Sequence, residues 1–140
     1  MRIVLAHYGT ASHRYGLIHA DMRLGNVLAD DNSITLIDFD DCGFCWFAYD
    51  FAAAISFFEA HPAVNVWKSA WLRAYQKIRP LDHEDREAME TMILLRRMAL
   101  LAWIGSHNET VLAQTHMPGF AQDTAQLASI YLDQRLVTLT

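Results

Sequence analysis

Residues 19–26 read His19-Ala20-Asp21-Met22-Arg23-Leu24-Gly25-Asn26 and stand between two short apolar runs, Gly16-Leu17-Ile18-His19 and Asn26-Val27-Leu28-Ala29. A polar turn, Asp30-Asp31-Asn32-Ser33, then leads into a third run, Ile34-Thr35-Leu36-Ile37, which ends in Asp38-Phe39-Asp40. This pattern predicts strand, loop, strand, turn, strand, with Asp38 at the end of the last strand. It also places Asp21, Asp38, Asp40 and Asp41 at adjacent strand ends, where several negative charges share one cleft. Such crowding is costly unless a divalent cation or an arginine compensates it.

The spacing His-x-Asp-x-x-x-x-Asn suits phosphoryl transfer, a reaction that asks little covalent chemistry of a protein and much positioning and charge neutralisation. An Asp in the loop can act as base or orienter for a hydroxyl, and an Asn across a tight loop can offer its carbonyl oxygen to magnesium. Asp38 would supply a harder, anionic ligand.

With His19, Asp21 and Asn26, then Ile37-Asp38-Phe39-Asp40-Asp41, then Tyr49-Asp50-Phe51-Ala52, the chain resembles the C-terminal lobe of the aminoglycoside phosphotransferase and choline kinase group. That group shares the protein-kinase-like fold, and the run Ile37 to Cys42 is similar to homoserine kinase type II and stress-response serine/threonine kinases. The resemblance covers roughly the first 60 residues by motif. It implies ATP and Mg²⁺ as cofactors and a small-molecule or Ser/Thr hydroxyl as acceptor. It also implies Asp21 as the catalytic Asp, and Asn26 and Asp38 as the metal and nucleotide ligands. His19 would be an internal brace of the loop. Arg23, two places after Asp21, either neutralises the moving phosphoryl group or is a solvated loop residue. Asp50 opens the apolar run Phe51 to Phe58, and its expected role is structural, as a helix cap or first-turn charge.

Kinase-like folds place a small N-terminal lobe before the catalytic loop, with a strand Lys and often a Gly-rich cover over the phosphates. The 18 residues before His19 contain no Lys, the only lysines are Lys68 and Lys77, and no Gly-x-Gly-x-x-Gly occurs. The expectation is therefore a single domain over residues 1–140, a truncated phosphotransferase comprising the C-lobe alone. The surface its missing partner should cover predicts self-association, and a non-catalytic binding lobe is the second reading.

A chain of 140 residues that is 53% hydrophobic can bury one sizeable core. Its net charge of −5 argues against broad nucleic-acid binding and suits a cationic acceptor. Apolar stretches are interrupted by Asp50 and by Arg96-Arg97, which excludes a membrane span, and no signal peptide is evident, so a cytoplasmic address is expected. The fold class expected is α+β, mostly α: a short β-hairpin catalytic region and a helical remainder.

That remainder predicts a helix over Ala63–Ile78, with Val66, Trp67, Ala70, Trp71, Ala74 and Tyr75 near one face. A second helix, capped by Asp82, runs to about Ser106. Its apolar residues crowd more than one face, so it is either central or covered by a partner. A third runs from about Phe120 to Val137, with Phe120, Thr124, Leu127, Ala128, Tyr131 and Leu132 as its buried stripe.

The rival from another class is a thiol redox site at Cys42-Gly43-Phe44-Cys45. Asp40 and Asp41 just before Cys42 should raise its thiol pKa, the wrong direction for redox chemistry, and no strand-plus-proline element follows. Seven histidines lack zinc-ligand spacing, and no Gly-x-Ser-x-Gly elbow supports a hydrolase.

Overall fold

A computed structural model describes residues 1–138, with side chains through Arg135. Helix α1 (Arg2–Tyr8) leads into β1 (Tyr15–Ile18), a single 3₁₀ turn (Leu24–Asn26), β2 (Val27–Ala29), β3 (Ile34–Leu36) and β4 (Gly43–Trp46). Helices α2 (Tyr49–Ala54), α3 (Val64–Tyr75), α4 (His83–Ser106), α5 (Val111–His116) and α6 (Phe120–Thr138) complete it. The architecture is mostly α with a small antiparallel β region, as the sequence predicts. The strands make two antiparallel pairs rather than one sheet. In one, β1 lies on β4 with Gly16 opposite Cys45 and Leu17 opposite Phe44. In the other, β2 lies on β3 with Val27 opposite Leu36.

The turn between β2 and β3 closes as expected, because the Asp30 carboxylate accepts from the backbone N–H of Asn32 and Ser33 at 2.8 and 2.7 Å. The third strand, however, ends at Leu36, two residues before Asp38. Asp38 itself has φ 65°, a left-handed conformation that Asp tolerates better than most residues and that no strand can continue through. Gly16 has no Cβ for a reason: one placed there would lie 2.7 Å from the Phe47 ring, over which the Arg79 guanidinium stands 3.8 Å from the ring centroid.

Helix α4 is the centre of the molecule, which settles why apolar residues crowd several of its faces. Met89, Met92 and Ile93 meet Phe51, Ala52 and Ile55 on and after α2, together with Leu5 and Tyr8 of α1. Further along, Leu100 and Ile104 meet Ala113 of α5 and Phe120 of α6. The helix begins at Asp82 with a reciprocal capping box, Asp82 accepting from the Asp85 N–H at 2.8 Å and Asp85 from the Asp82 N–H at 2.9 Å. Asp85 is buried and also accepts from the Tyr8 hydroxyl, and Arg14 bridges to Asp82 and Glu84 at 3.2 and 2.8 Å.

Three details differ from the periodicity. Helix α3 is shorter than Ala63–Ile78 and buries no residue fully, and the side it turns inward is Val64, Trp71 and Leu72 rather than a face containing Val66, which is 67% exposed. In α6, Phe120, Thr124 and Tyr131 are buried but Leu132 is 60% exposed. The short helices α1 and α5 and strand β4 were not foreseen, because segments of four to seven residues carry too little periodicity to read.

Arg97 is the most unusual core residue. It is 2% exposed, donates to Glu59 at 2.9 Å, to Thr124 at 2.9 Å and to the Phe120 carbonyl at 3.1 Å, and lies over the Phe120 ring. Burial pushes the Glu59 carboxyl above the ordinary carboxylate range even though Arg97 pulls it the other way. Removing one partner of such a pair leaves a buried charge alone. Arg97→Met should therefore cost about 3–5 kcal/mol in urea unfolding, while the double variant Glu59→Met/Arg97→Met should recover most of that loss.

Candidate active site

The loop after β1 is braced from three sides. His19 is buried; its Nε2 donates to the Ile37 carbonyl at 3.0 Å and its Nδ1 accepts from the Asp21 N–H at 3.4 Å. Its ring packs on Phe39 at 4.6 Å. Ala20 has φ 65°, a conformation costing a residue with a Cβ about 1–2 kcal/mol, and its N–H is held by the Asp50 carboxylate at 2.9 Å. Asp50 thus sits in the first turn of α2, as expected, and reaches back to support the loop. Burial raises its carboxyl above the ordinary range, against the hydrogen bonds from Ala20 and His19 that lower it.

Asp21 is the hub. The buried Asn26 donates through Nδ2 to the Asp21 carbonyl at 2.9 Å and to Asp21 Oδ2 at 3.0 Å, which commits its amide nitrogen and leaves its amide oxygen as the atom able to take a cation. Arg23 donates through Nε to the same Oδ2 at 3.2 Å. Gly25 leaves space for that arrangement, since a Cβ there would lie 2.5 Å from an Arg23 guanidinium nitrogen. The other carboxylate oxygen, Oδ1, accepts from Arg96 Nη2 at 2.5 Å.

Asp21, Arg23, Asp38 and Asp41 line one cleft of about 350 Å³, whose far wall is Phe57, Arg96, Leu100 and Trp103. The structure therefore brings Asp21, Arg23 and Asp38 together at one cleft, with Asn26 bonded directly to Asp21, while Asp40 does not line it. The crowded negative charge is met by two arginines. Arg96 was missed because it lies 75 residues from Asp21 on a helix whose pattern speaks only of packing. The sole trace of it in the sequence is an arginine pair inside an otherwise apolar run.

Among the described residues, no group of three or more His, Cys, Asp or Glu converges as a metal site, and the seven histidines supply none. The thiol pair lacks the setting of a redox centre. Cys45 lies inside β4 rather than at a helix N-terminus, and burial pushes its thiol up, away from the thiolate such chemistry needs. No described helix is long and apolar enough to cross a membrane.

Known proteins bear on this arrangement. The model of the phosphotransferase enzyme family matches residues 3–91. The homoserine kinase of Acidiphilium cryptum (strain JF-5) is 34% identical over 110 residues, 71% of this chain and 34% of that protein. The solved structure of a microcompartment-associated aminopropanol kinase is 42% identical with a TM-score of 0.86, over 95% of this chain and 42% of that one. An amicoumacin kinase solved in complex with AMP-PNP, Ca²⁺ and Ami shares the fold at a TM-score of 0.67 and 23% identity, over 85% of this chain and 39% of that one. The chain thus spans about a third of the homoserine kinase and about two fifths of each solved kinase.

Two outcomes test the bracing. Ala20→Gly should stabilise the chain by about 1 kcal/mol in urea unfolding, because glycine adopts the left-handed conformation without a Cβ penalty. Asp50 binds its proton more tightly in the folded chain than in the unfolded one, so its contribution is present below the ordinary carboxylate pKa and is lost as pH rises through its raised value. Asp50→Asn keeps an acceptor for the Ala20 N–H and should flatten that part of the stability–pH curve.

Proposed function

Because the chain belongs to the phosphotransferase enzyme family, we propose that it carries the metal- and acceptor-binding half of an ATP-dependent kinase acting on a small, amine-bearing alcohol. The observation that carries this reading is the single cleft in which Asp21, Asp38 and two arginines meet an aromatic wall. Asp21 accepts a hydrogen bond from the acceptor hydroxyl and takes its proton as the γ-phosphoryl group departs from ATP. Arg23, already on Asp21 Oδ2, offers positive charge to the transferring group.

The Asn26 amide oxygen and the Asp38 carboxylate are the two groups that would hold Mg²⁺. A set of one amide oxygen and one carboxylate suits this hard cation, which keeps several waters and takes further ligands from phosphate oxygens. When bound, Mg²⁺ would neutralise charge on the phosphates. The left-handed turn at Asp38 carries its carboxylate out of β3 and into the cleft. Leu28, Ile34 and Ile37 remain exposed along the β2–β3 hairpin, an apolar surface on which a nucleobase can pack.

The acceptor class follows from the walls. Asp41 supplies negative charge and Trp103 and Phe57 supply ring faces, a combination that favours a cation. A volume of about 350 Å³ fits a small molecule rather than a protein loop bearing Ser or Thr. Aminopropanol and homoserine, named for two of the related kinases, each carry a hydroxyl and an amine.

Calorimetric titration of Mg·ATP into the chain, beside Asp38→Asn, tests the reading. Binding that is lost in the variant is expected, together with phosphorylation of aminopropanol that Asp21→Ala abolishes while sparing nucleotide binding. Equal nucleotide affinity in both proteins would sink the metal assignment. Nucleotide binding without transfer would favour a non-catalytic binding lobe.

A further inference from the structure

Arg96 links two parts of the site that the sequence keeps far apart. Its Nε donates to Ser56 Oγ at 2.8 Å while its Nη2 donates to Asp21 Oδ1 at 2.5 Å. The Ser56 hydroxyl itself donates to the Ala53 carbonyl at 2.7 Å, so its oxygen is left as an acceptor facing the guanidinium. The side chains of Arg96 and Asp21 are each 14% exposed, so the pair is sheltered but touches the cleft. Ser56 precedes Phe57, whose φ of 72° turns the chain and whose ring lines the cleft. The same turn is held at its other end, where Glu59 accepts from the Phe57 N–H at 3.1 Å and from Arg97 at 2.9 Å.

We propose that Arg96 is a positioning residue for the phosphoryl transfer inferred above, tying Asp21 through Ser56 to the turn that carries the acceptor-wall residue Phe57. The inference rests on that functional reading. Oδ2 of Asp21 is taken by Asn26 and Arg23, so Oδ1 is the oxygen left for the acceptor hydroxyl. A carboxylate oxygen has two lone pairs, so Arg96 can hold one while the hydroxyl uses the other, and the clamp stays closed during the reaction. A planar guanidinium presents Nε and Nη2 at a fixed separation and spans Ser56 and Asp21 together, which a lysine ammonium does not.

The test is steady-state kinetics with Mg·ATP and aminopropanol on the unaltered chain, Arg96→Ala, Arg96→Lys and Ser56→Ala. Arg96→Ala should lower kcat about 100-fold with little change in KM for Mg·ATP, the size of effect a misplaced reacting group produces. Arg96→Lys should not recover it, and Ser56→Ala should show a smaller fall in kcat. Guanidinium ion at millimolar concentration should restore part of the kcat of Arg96→Ala and none of that of Asp21→Asn, a response that loss of fold stability would not give. An Arg96→Ala protein with the kcat of the unaltered chain, or one that guanidinium leaves unimproved, would overturn the positioning role while leaving the phosphotransferase reading intact. Absence of transfer in the unaltered chain would instead overturn that reading, and amide exchange then tests the clamp. Faster exchange at residues 20–26 in Arg96→Ala, with α4 unchanged, supports it; equal exchange overturns it too.

Discussion

Adjacent residues on a helix point about 100° apart, and in the middle of α4 the two that do so are both arginines. Arg97 turns into the core, where only full engagement by Glu59, Thr124, the Phe120 carbonyl and the Phe120 ring offsets the loss of its hydration. Arg96 turns toward the cleft and meets Ser56 and Asp21. Because Ser56 and Glu59 bracket a single turn, these two side chains fix where that turn runs and therefore where Phe57 stands. The helix is thus at once the centre of the hydrophobic packing and the frame from which the cleft is hung. A change in its position would move the Phe57 wall of the cleft and the Asp21 carboxylate together.

The loop after β1 shows how a cluster of mainly negative residues is kept folded. Its carboxylates are not left to repel one another. Asp21 is shared among two guanidinium groups and an amide, Asp50 is spent on a backbone N–H, and Asp41 stays at the cleft edge. His19 serves this arrangement as a brace, with both ring nitrogens committed to backbone groups. What remains open to a ligand is one oxygen of Asp21, the amide oxygen of Asn26 and the carboxylate of Asp38.

The local part of this was legible in the sequence. The order of strand, loop and turn, the place of Asp50 in the first turn of a helix and the capping Asp82 follow from short spacings. The breadth of an apolar pattern narrowed α4 to a central or a partner-covered helix, and His19 as a brace was implied only by the family resemblance. Arg96 was not legible, because nothing in a helical repeat distinguishes an arginine that breaks an apolar run from one that completes a distant site. The end of β3 before Asp38 was also hidden, since an Ile-Asp-Phe sequence continues a strand as readily as it leaves one until backbone pairing decides. The inward side of α3 was only partly anticipated: Trp71 of the expected face packs on the core and stacks on Tyr75 at 4.2 Å, but Val64 and Leu72 turn inward where Val66 was expected.

The bond between Tyr8 and Asp85 closes a loop of 77 residues, and every part of the cleft contributed by residues 19–57 lies within it. The two strand pairs within that loop differ in reach: the β2–β3 turn forms from neighbours, whereas β1 must find β4 from almost 30 residues away. The entropy of closing the outer loop is repaid only once α1, α2 and α4 pack as a unit. A chain made in this order has a rapid local hairpin and a late encircling seal, so acquisition of the site is a property of the whole assembly rather than of the motif that announces it.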